Sequence, residues 1–209
     1  MKSESIDNFV FVGGCGRSGT TLLQAILNAH KNIYGGPEFG YLPMLCEAKN
    51  KIQASINPKN KLNVYLNEEN LNNSFKKLIK DLISNPAQKE NAKIISEKSP
   101  HNVLVFEDLS IIFPNAKFIF VIRDPRAIYA SAKTIKKKAK KSKNTLIPSY
   151  AKNVTKTIDY INKTWTTGFD FMKNNPSRSF LLMYEDLVLN PERITKSLCE
   201  FLNIEWDKN

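Results

Sequence analysis

The chain has 209 residues, 42% of them hydrophobic, and a formal net charge of +11 at pH 7. That length suits one domain with its own core, and no run approaches the roughly 18 apolar residues of a membrane span. Three scattered cysteines and two histidines give neither a disulfide framework nor metal-ligand spacing, while the basic excess points to an anionic partner. The short polar stretch over residues 1–8 does not read as a signal peptide, so a cytoplasmic setting is expected.

Phe9-Val10-Phe11-Val12 reads as a buried strand running into the glycine turn Gly13-Gly14-Cys15-Gly16-Arg17-Ser18-Gly19. The apolar spacing from Leu22 to Ala29 then predicts a helix packed on a sheet. Asn32-Ile33-Tyr34 reads as a short second strand, and a helix is expected from Glu38 through Leu45. Residues 47–67 are polar and carry no clear period. A helix over 71–83 ends before Pro86. Residues 44–91 together are expected to form a helical insertion over the sheet.

Strand character returns at Ala92-Lys93-Ile94-Ile95. Ser99 and Pro100 read as N-cap and first residue of a helix from His101 to Phe113. Phe118-Ile119-Phe120-Val121-Ile122 is a second clear buried strand, followed by Arg123 and by Asp124-Pro125 as another helix start. That helix passes Ser131 into a lysine-rich stretch, seven lysines among residues 133–143, which reads as a solvated face; it lacks the interleaved aromatics of a nucleic-acid surface. A long helix over 150–174, a strand over 179–184 and a helix from Pro191 to Leu202 complete the chain. Strands alternating with helices predict an α/β, three-layer, P-loop-like domain around a central parallel sheet, spanning residues 1–209.

A buried strand, a glycine turn and a helix N-terminus form a phosphate cradle, because backbone N–H groups converge there and the helix dipole favours an anion. Gly14 to Gly19 has the spacing of the Walker pattern, but Thr20 stands where that pattern has lysine. Ligands of parallel sheets bind beyond the carboxyl ends of the strands. Arg17 to Thr21, Glu38, Lys98 and Arg123 all fall there, which predicts one crevice with several cations and a carboxylate.

These residues resemble the sulfotransferases that use 3′-phosphoadenosine 5′-phosphosulfate (PAPS). Gly16-Arg17-Ser18-Gly19-Thr20-Thr21-Leu22 is similar to their 5′-phosphosulfate loop, and Val121 to Ser131 to their 3′-phosphate motif, with Arg123 and Ser131 eight residues apart. The tyrosylprotein sulfotransferases are nearest, through Ala29-His30 followed by Gly36-Pro37-Glu38, the stretch Tyr184 to Arg193 and the tail Phe201 to Trp206. Glu97-Lys98-Ser99-Pro100 is similar to a stretch in heparan sulfate sulfotransferases.

The resemblance implies sulfuryl transfer from PAPS as co-substrate to an acceptor hydroxyl on a small molecule, carbohydrate or peptide, without a metal. It implies Glu38 as catalytic base and Lys98 as the cation that steadies the leaving oxygen. Gly16, Arg17, Ser18, Gly19, Thr20 and Thr21 would hold the 5′-phosphosulfate, Arg123 and Ser131 the 3′-phosphate, and Tyr184 the adenine. His101 is a competing base, Cys15 reads as a small loop residue with a rival reading as a thiol whose pKa the helix start and Arg17 would lower, and Glu38 has a rival reading as a first-turn acid facing a helix dipole. Sulfotransferases continue past the last helix with a basic loop over the nucleotide. With the chain stopping at Asn209, that loop is expected to be missing; either the lysines of 133–143 partly replace it, or nucleotide binding is weakened, or the sequence is a truncated product. Two other classes stay open: a P-loop kinase of small metabolites using Asp124 with magnesium, and a non-catalytic binder of nucleotides or polyanions.

Overall fold

The structure is a computed structural model and describes residues 6–57, 59–84, 92–141 and 147–207, the side chains of 138–141 excepted. Five strands form a parallel sheet in the order β2-β3-β1-β4-β5. They are β1 (Asn8–Gly14), β2 (Ile33–Gly35), β3 (Ile94–Lys98), β4 (Lys117–Ile122) and β5 (Ser179–Met183). β1 lies at the centre, with Phe11 opposite both Glu97 and Phe118.

Alternation along β1 and β4 sorts two chemistries onto two faces, because successive side chains of a strand point to opposite sides. Phe9, Phe11, Phe118 and Phe120 enter one core, and Val10, Val12, Ile119 and Val121 the other. The aromatic face packs under α2 (Leu42–Ser55), α3 (Glu68–Ile83), α4 (Phe106–Ile112) and α6 (Val154–Asn174), which supply Leu42, Ile79, Phe106 and Phe171. The aliphatic face packs under α1 (Thr20–Ala29), α7 (Tyr184–Leu189) and α8 (Pro191–Leu202), through Leu23, Leu187 and Leu198. α5 (Pro125–Lys141) follows β4 and carries the first part of the lysine run. The result is the three-layer α/β architecture that the strand–helix rhythm predicts.

Local differences have physical causes. No helix starts at Glu38: residues 36–41 form a loop, and α2 begins at Leu42 with Pro43 in its first turn, where the missing N–H of proline costs nothing. α2 then runs on to Ser55 through the unassigned polar stretch, holding Cys46 and Lys49 inside. The helix expected over 101–113 is a 3-10 turn at Pro100–Val105 followed by α4. Ser99 does not cap it with its side chain; the hydroxyl donates to Glu97 at 2.7 Å instead. α6 starts at Val154 rather than 150, where the Asn153 side chain accepts the Lys156 N–H. The lysines at 138, 140 and 141 have no described side chains, and Lys143 lies outside the described residues.

Candidate functional site

Between β1 and α1 the chain turns back on itself. The Ser18 N–H donates to the Cys15 carbonyl at 3.1 Å, Arg17 takes φ +76° and Gly19 φ +100°. A Cβ on Gly19 would sit 2.2 Å from the Tyr184 ring, so both its backbone angle and its neighbour require glycine. Arg17 has no such freedom, and a non-glycine residue held at positive φ is the kind of local strain that clusters at ligand sites.

That turn directs Arg17 across the end of the sheet. Its Nε–H donates to Ser131 Oγ at 2.9 Å. Arg123, just past β4, donates from Nη1 to the Arg17 carbonyl at 3.2 Å, and its guanidinium lies 4.0 Å from the centre of the Tyr184 ring, a cation–π contact. Residues 114 positions apart in sequence are thereby in direct contact.

On the other side of α1's first turn, Lys98 ends β3 and is 5% exposed. Its ammonium donates to Thr21 Oγ1 at 3.3 Å and pairs with the Glu38 carboxylate. Glu38 lies in the loop before α2 with its side chain half exposed, so the reading of Glu38 as a helix-dipole acid does not hold. Among the described residues no carboxylate forms an ion pair with Arg17 or Arg123. Three cations thus face one acid, and the excess charge fits a multiply anionic ligand.

Of the residues singled out from sequence, Gly16, Arg17, Gly19, Thr20, Thr21, Glu38, Arg123 and Tyr184 line a single cleft of about 610 Å³. Lys98 and Ser131 bond to its lining residues, Lys98 to Thr21 and Glu38 and Ser131 to Arg17. Ser18 is brought no closer: it is wholly buried, and its hydroxyl is enclosed without a hydrogen-bond partner. His101 does line the cleft, with its ring centre 5.8 Å from that of Tyr160.

Sequence reasoning missed a whole wall. Pro148, Ser149 and Tyr150 close the cleft from the segment before α6. Tyr150 stacks on Tyr160, ring centres 4.9 Å apart, and its hydroxyl would lie 2.9 Å from a Cβ on Gly16. Gly16 therefore admits the phenol. The stack has no motif, and nothing in the sequence places Tyr150 opposite Gly16.

Cys15 is the small packed loop residue, not the activated thiol. It is fully buried, and burial pushes its pKa up to about 12, against a weaker lowering by Thr164. A second acid was matched in sequence but given no role. Glu97, on β3 next to Lys98, is 3% exposed. Burial raises its pKa, opposed by hydrogen bonds from Ser99, Asn102 and the Phe39 N–H and by the charge of Lys98.

A further cavity of about 470 Å³ adjoins the other side of Glu38, among Tyr34, Pro37, Phe39 and Tyr41 and the end of α3. Among the described residues no cluster of His, Cys, Asp and Glu has the makings of a metal site, and no helix is long and apolar enough to cross a membrane.

The family model described as "Sulfotransferase family" matches residues 9–208. Protein-tyrosine sulfotransferase 1 of Danio rerio is 31% identical over 199 residues, covering 95% of this chain and 54% of its own. The Homo sapiens protein of the same name is 32% identical over 204 residues, covering 95% and 52%. The chain therefore spans about half the length of the curated relatives it matches. Among solved structures, the sulfotransferase domain from the curacin biosynthetic pathway superposes with a TM-score of 0.63 at 20% identity, covering 98% of this chain and 77% of that one. With the match running through the glycine turn, the β4–α5 junction and the tail, this chain belongs to the sulfotransferase family.

Proposed function

We propose that the protein transfers a sulfuryl group from PAPS to an acceptor hydroxyl. The observation that carries this reading is the contact of Arg17 with Ser131 and of Arg123 with the Arg17 carbonyl, which joins the glycine turn to the β4–α5 junction, the two stretches read as phosphate motifs. The family supports it, and Thr20 in place of a Walker lysine weighs against a triphosphate.

Sulfuryl transfer resembles phosphoryl transfer in that positioning and charge stabilisation supply most of the catalysis. PAPS would supply the activated sulfuryl group, with its two anionic ends for recognition. Arg17 and the turn's N–H groups would hold the 5′ end, Arg123 and Ser131 the 3′-phosphate, and Tyr184, already under the Arg123 guanidinium, would flank the base. Lys98 would neutralise charge on the leaving oxygen; a donor of this kind is typically worth about 10²–10³ in rate. Glu38, beside Lys98, would take the proton of the acceptor hydroxyl. Ser18, enclosed below the turn, would contribute through the backbone rather than its hydroxyl.

For the acceptor we propose the phenol of a peptide tyrosine. The curated relatives carry that substrate in their names, and Glu38 faces the cavity lined by Tyr34, Phe39 and Tyr41, which offers an aromatic ring flat apolar surface. The end of α3 closes the same cavity, so the α2–α3 region would shape acceptor choice.

The test is a thermal shift without magnesium. Adenosine 3′,5′-bisphosphate should raise the melting temperature and ATP should not; the reverse pattern, dependent on magnesium, would mean a kinase. Arg123→Ala should weaken the bisphosphate far more than adenosine 5′-monophosphate, and equal losses would remove the 3′-phosphate role.

A further inference from the structure

The proposed reaction leaves Glu97 without a task, although a carboxylate taken out of water is costly unless its oxygens are fully paired. Three donors converge on it: the Phe39 N–H at 3.1 Å, the Ser99 hydroxyl at 2.7 Å and the Asn102 side-chain amide. The Ser99 hydroxyl in turn accepts the Gly40 N–H at 3.0 Å. Donors aimed from three sides favour the purely accepting, ionised form and so oppose the burial that raises its pKa.

Two of these links hold the backbone immediately after Glu38. The backbone before it is held from α1. The Gly35 N–H donates to Asn28 Oδ1 at 2.9 Å, and the Gln24 amide donates to the Gly36 carbonyl at 3.3 Å and the Ser96 carbonyl at 3.0 Å. The loop is thus fastened on both flanks of its acid while the carboxylate itself reaches only as far as Lys98. Glu97 precedes Lys98 on β3, so one side chain references both members of that pair to the same strand.

We propose that Glu97 is a positioning residue for the transfer reaction: by anchoring the Phe39 and Gly40 amides, it fixes the Glu38 carboxylate against Lys98 and toward the acceptor. This rests on the reading of Glu38 as the base. Glutamine has nearly the same shape but presents an NH₂ toward a donor, so Glu97→Gln should loosen the loop without emptying the site.

In the ligand-free protein, amide exchange at Phe39 and Gly40 should quicken at least tenfold in Glu97→Gln, while Leu23 and Leu27 in α1 keep their protection. With labelled PAPS and a tyrosine-containing acidic peptide as acceptor, kcat should fall about tenfold or more, and the Kd for adenosine 3′,5′-bisphosphate should stay within twofold. The double variant with Glu38→Ala separates the two claims, since groups acting through one another are non-additive. If Glu38→Ala is slow and Glu97→Gln slows it no further, the positioning role stands. A full further loss in that background, or unchanged exchange at Phe39 with unchanged kcat, overturns it. A Glu38→Ala enzyme as fast as the parent would instead sink the base reading. Should Glu97→Gln fail to fold, Ser99→Ala, which removes the Gly40 link and one donor to Glu97 but leaves the Phe39 link, should give a smaller loss with the same non-additivity; additivity there would count against the proposal.

Discussion

Glu38 and Lys98 form a pair in which one partner is nearly buried and the other half open. Removing the acid therefore does two things. Glu38→Ala should cut sulfuryl transfer by about 10²–10⁴-fold, the usual worth of a general base. It also leaves the nearly buried Lys98 ammonium without its counter-charge, held by Thr21 Oγ1, so the melting temperature should fall while bisphosphate affinity is retained or improved. Calorimetry and a labelled-donor assay would report the two effects separately. Arg17→Ala should weaken the bisphosphate by about 10–150-fold, the equivalent of roughly 1.5–3 kcal/mol for a charge-assisted hydrogen bond. At this scale the sequence was informative wherever a residue stood at or just past the end of a strand, as Arg17, Lys98 and Arg123 do. It was silent on Glu97, because a strand glutamate beside a lysine reads as solvated until the fold buries it.

At the scale of elements, the glycine turn depends on its fit to α7. Gly19→Ala adds a Cβ into the Tyr184 ring at a backbone angle that L-residues avoid. Such strain costs about 1–3 kcal/mol before any clash, so a chemical-denaturation midpoint should drop clearly and nucleotide binding with it. Strands and their order of appearance were legible because Phe9–Val12 and Phe118–Ile122 are short unbroken apolar runs bounded by turn residues. The loop around Glu38 was not: Phe39, Tyr41, Leu42 and Leu45 imitate a helical stripe, whereas the amides of Phe39 and Gly40 bond to Glu97 and Ser99 instead of to a preceding turn. The stretch from Glu47 to Ser55 hid a helix for the opposite reason, since few of its residues face the core. The wall formed by Ser149 and Tyr150 belongs to neither pattern and arises only from tertiary packing.

For the molecule as a whole, charge and protonation set the conditions under which it works. A net charge of +11 should draw an anionic nucleotide in, so its association rate should fall several-fold as salt rises from about 0.01 to 0.15 M, with dissociation changing less; stopped-flow fluorescence would separate the two. Cys15 and Cys46 are both pushed by burial from an ordinary 9.0 to about 12. The folded protein keeps these protons where the unfolded chain releases them. Their stabilising contribution is therefore complete below about pH 9, declines as pH rises and is gone by about pH 12. Denaturation curves should show the parent losing stability relative to a Cys15→Ala, Cys46→Ala variant across that range.

The hydrogen bond from Arg17 to Ser131 ties together the two halves of the proposed nucleotide site. It uses only the Nε–H of Arg17 and a lone pair of Ser131, so the remaining guanidinium donors and the hydroxyl proton can each meet an anion with the link intact. The spacing of the two anion sites is thus set before a ligand arrives, which favours one molecule carrying both anionic groups over two separate monophosphates. The bisphosphate should accordingly bind more tightly than its fragments would suggest by simple addition, and Ser131→Ala should shrink that surplus.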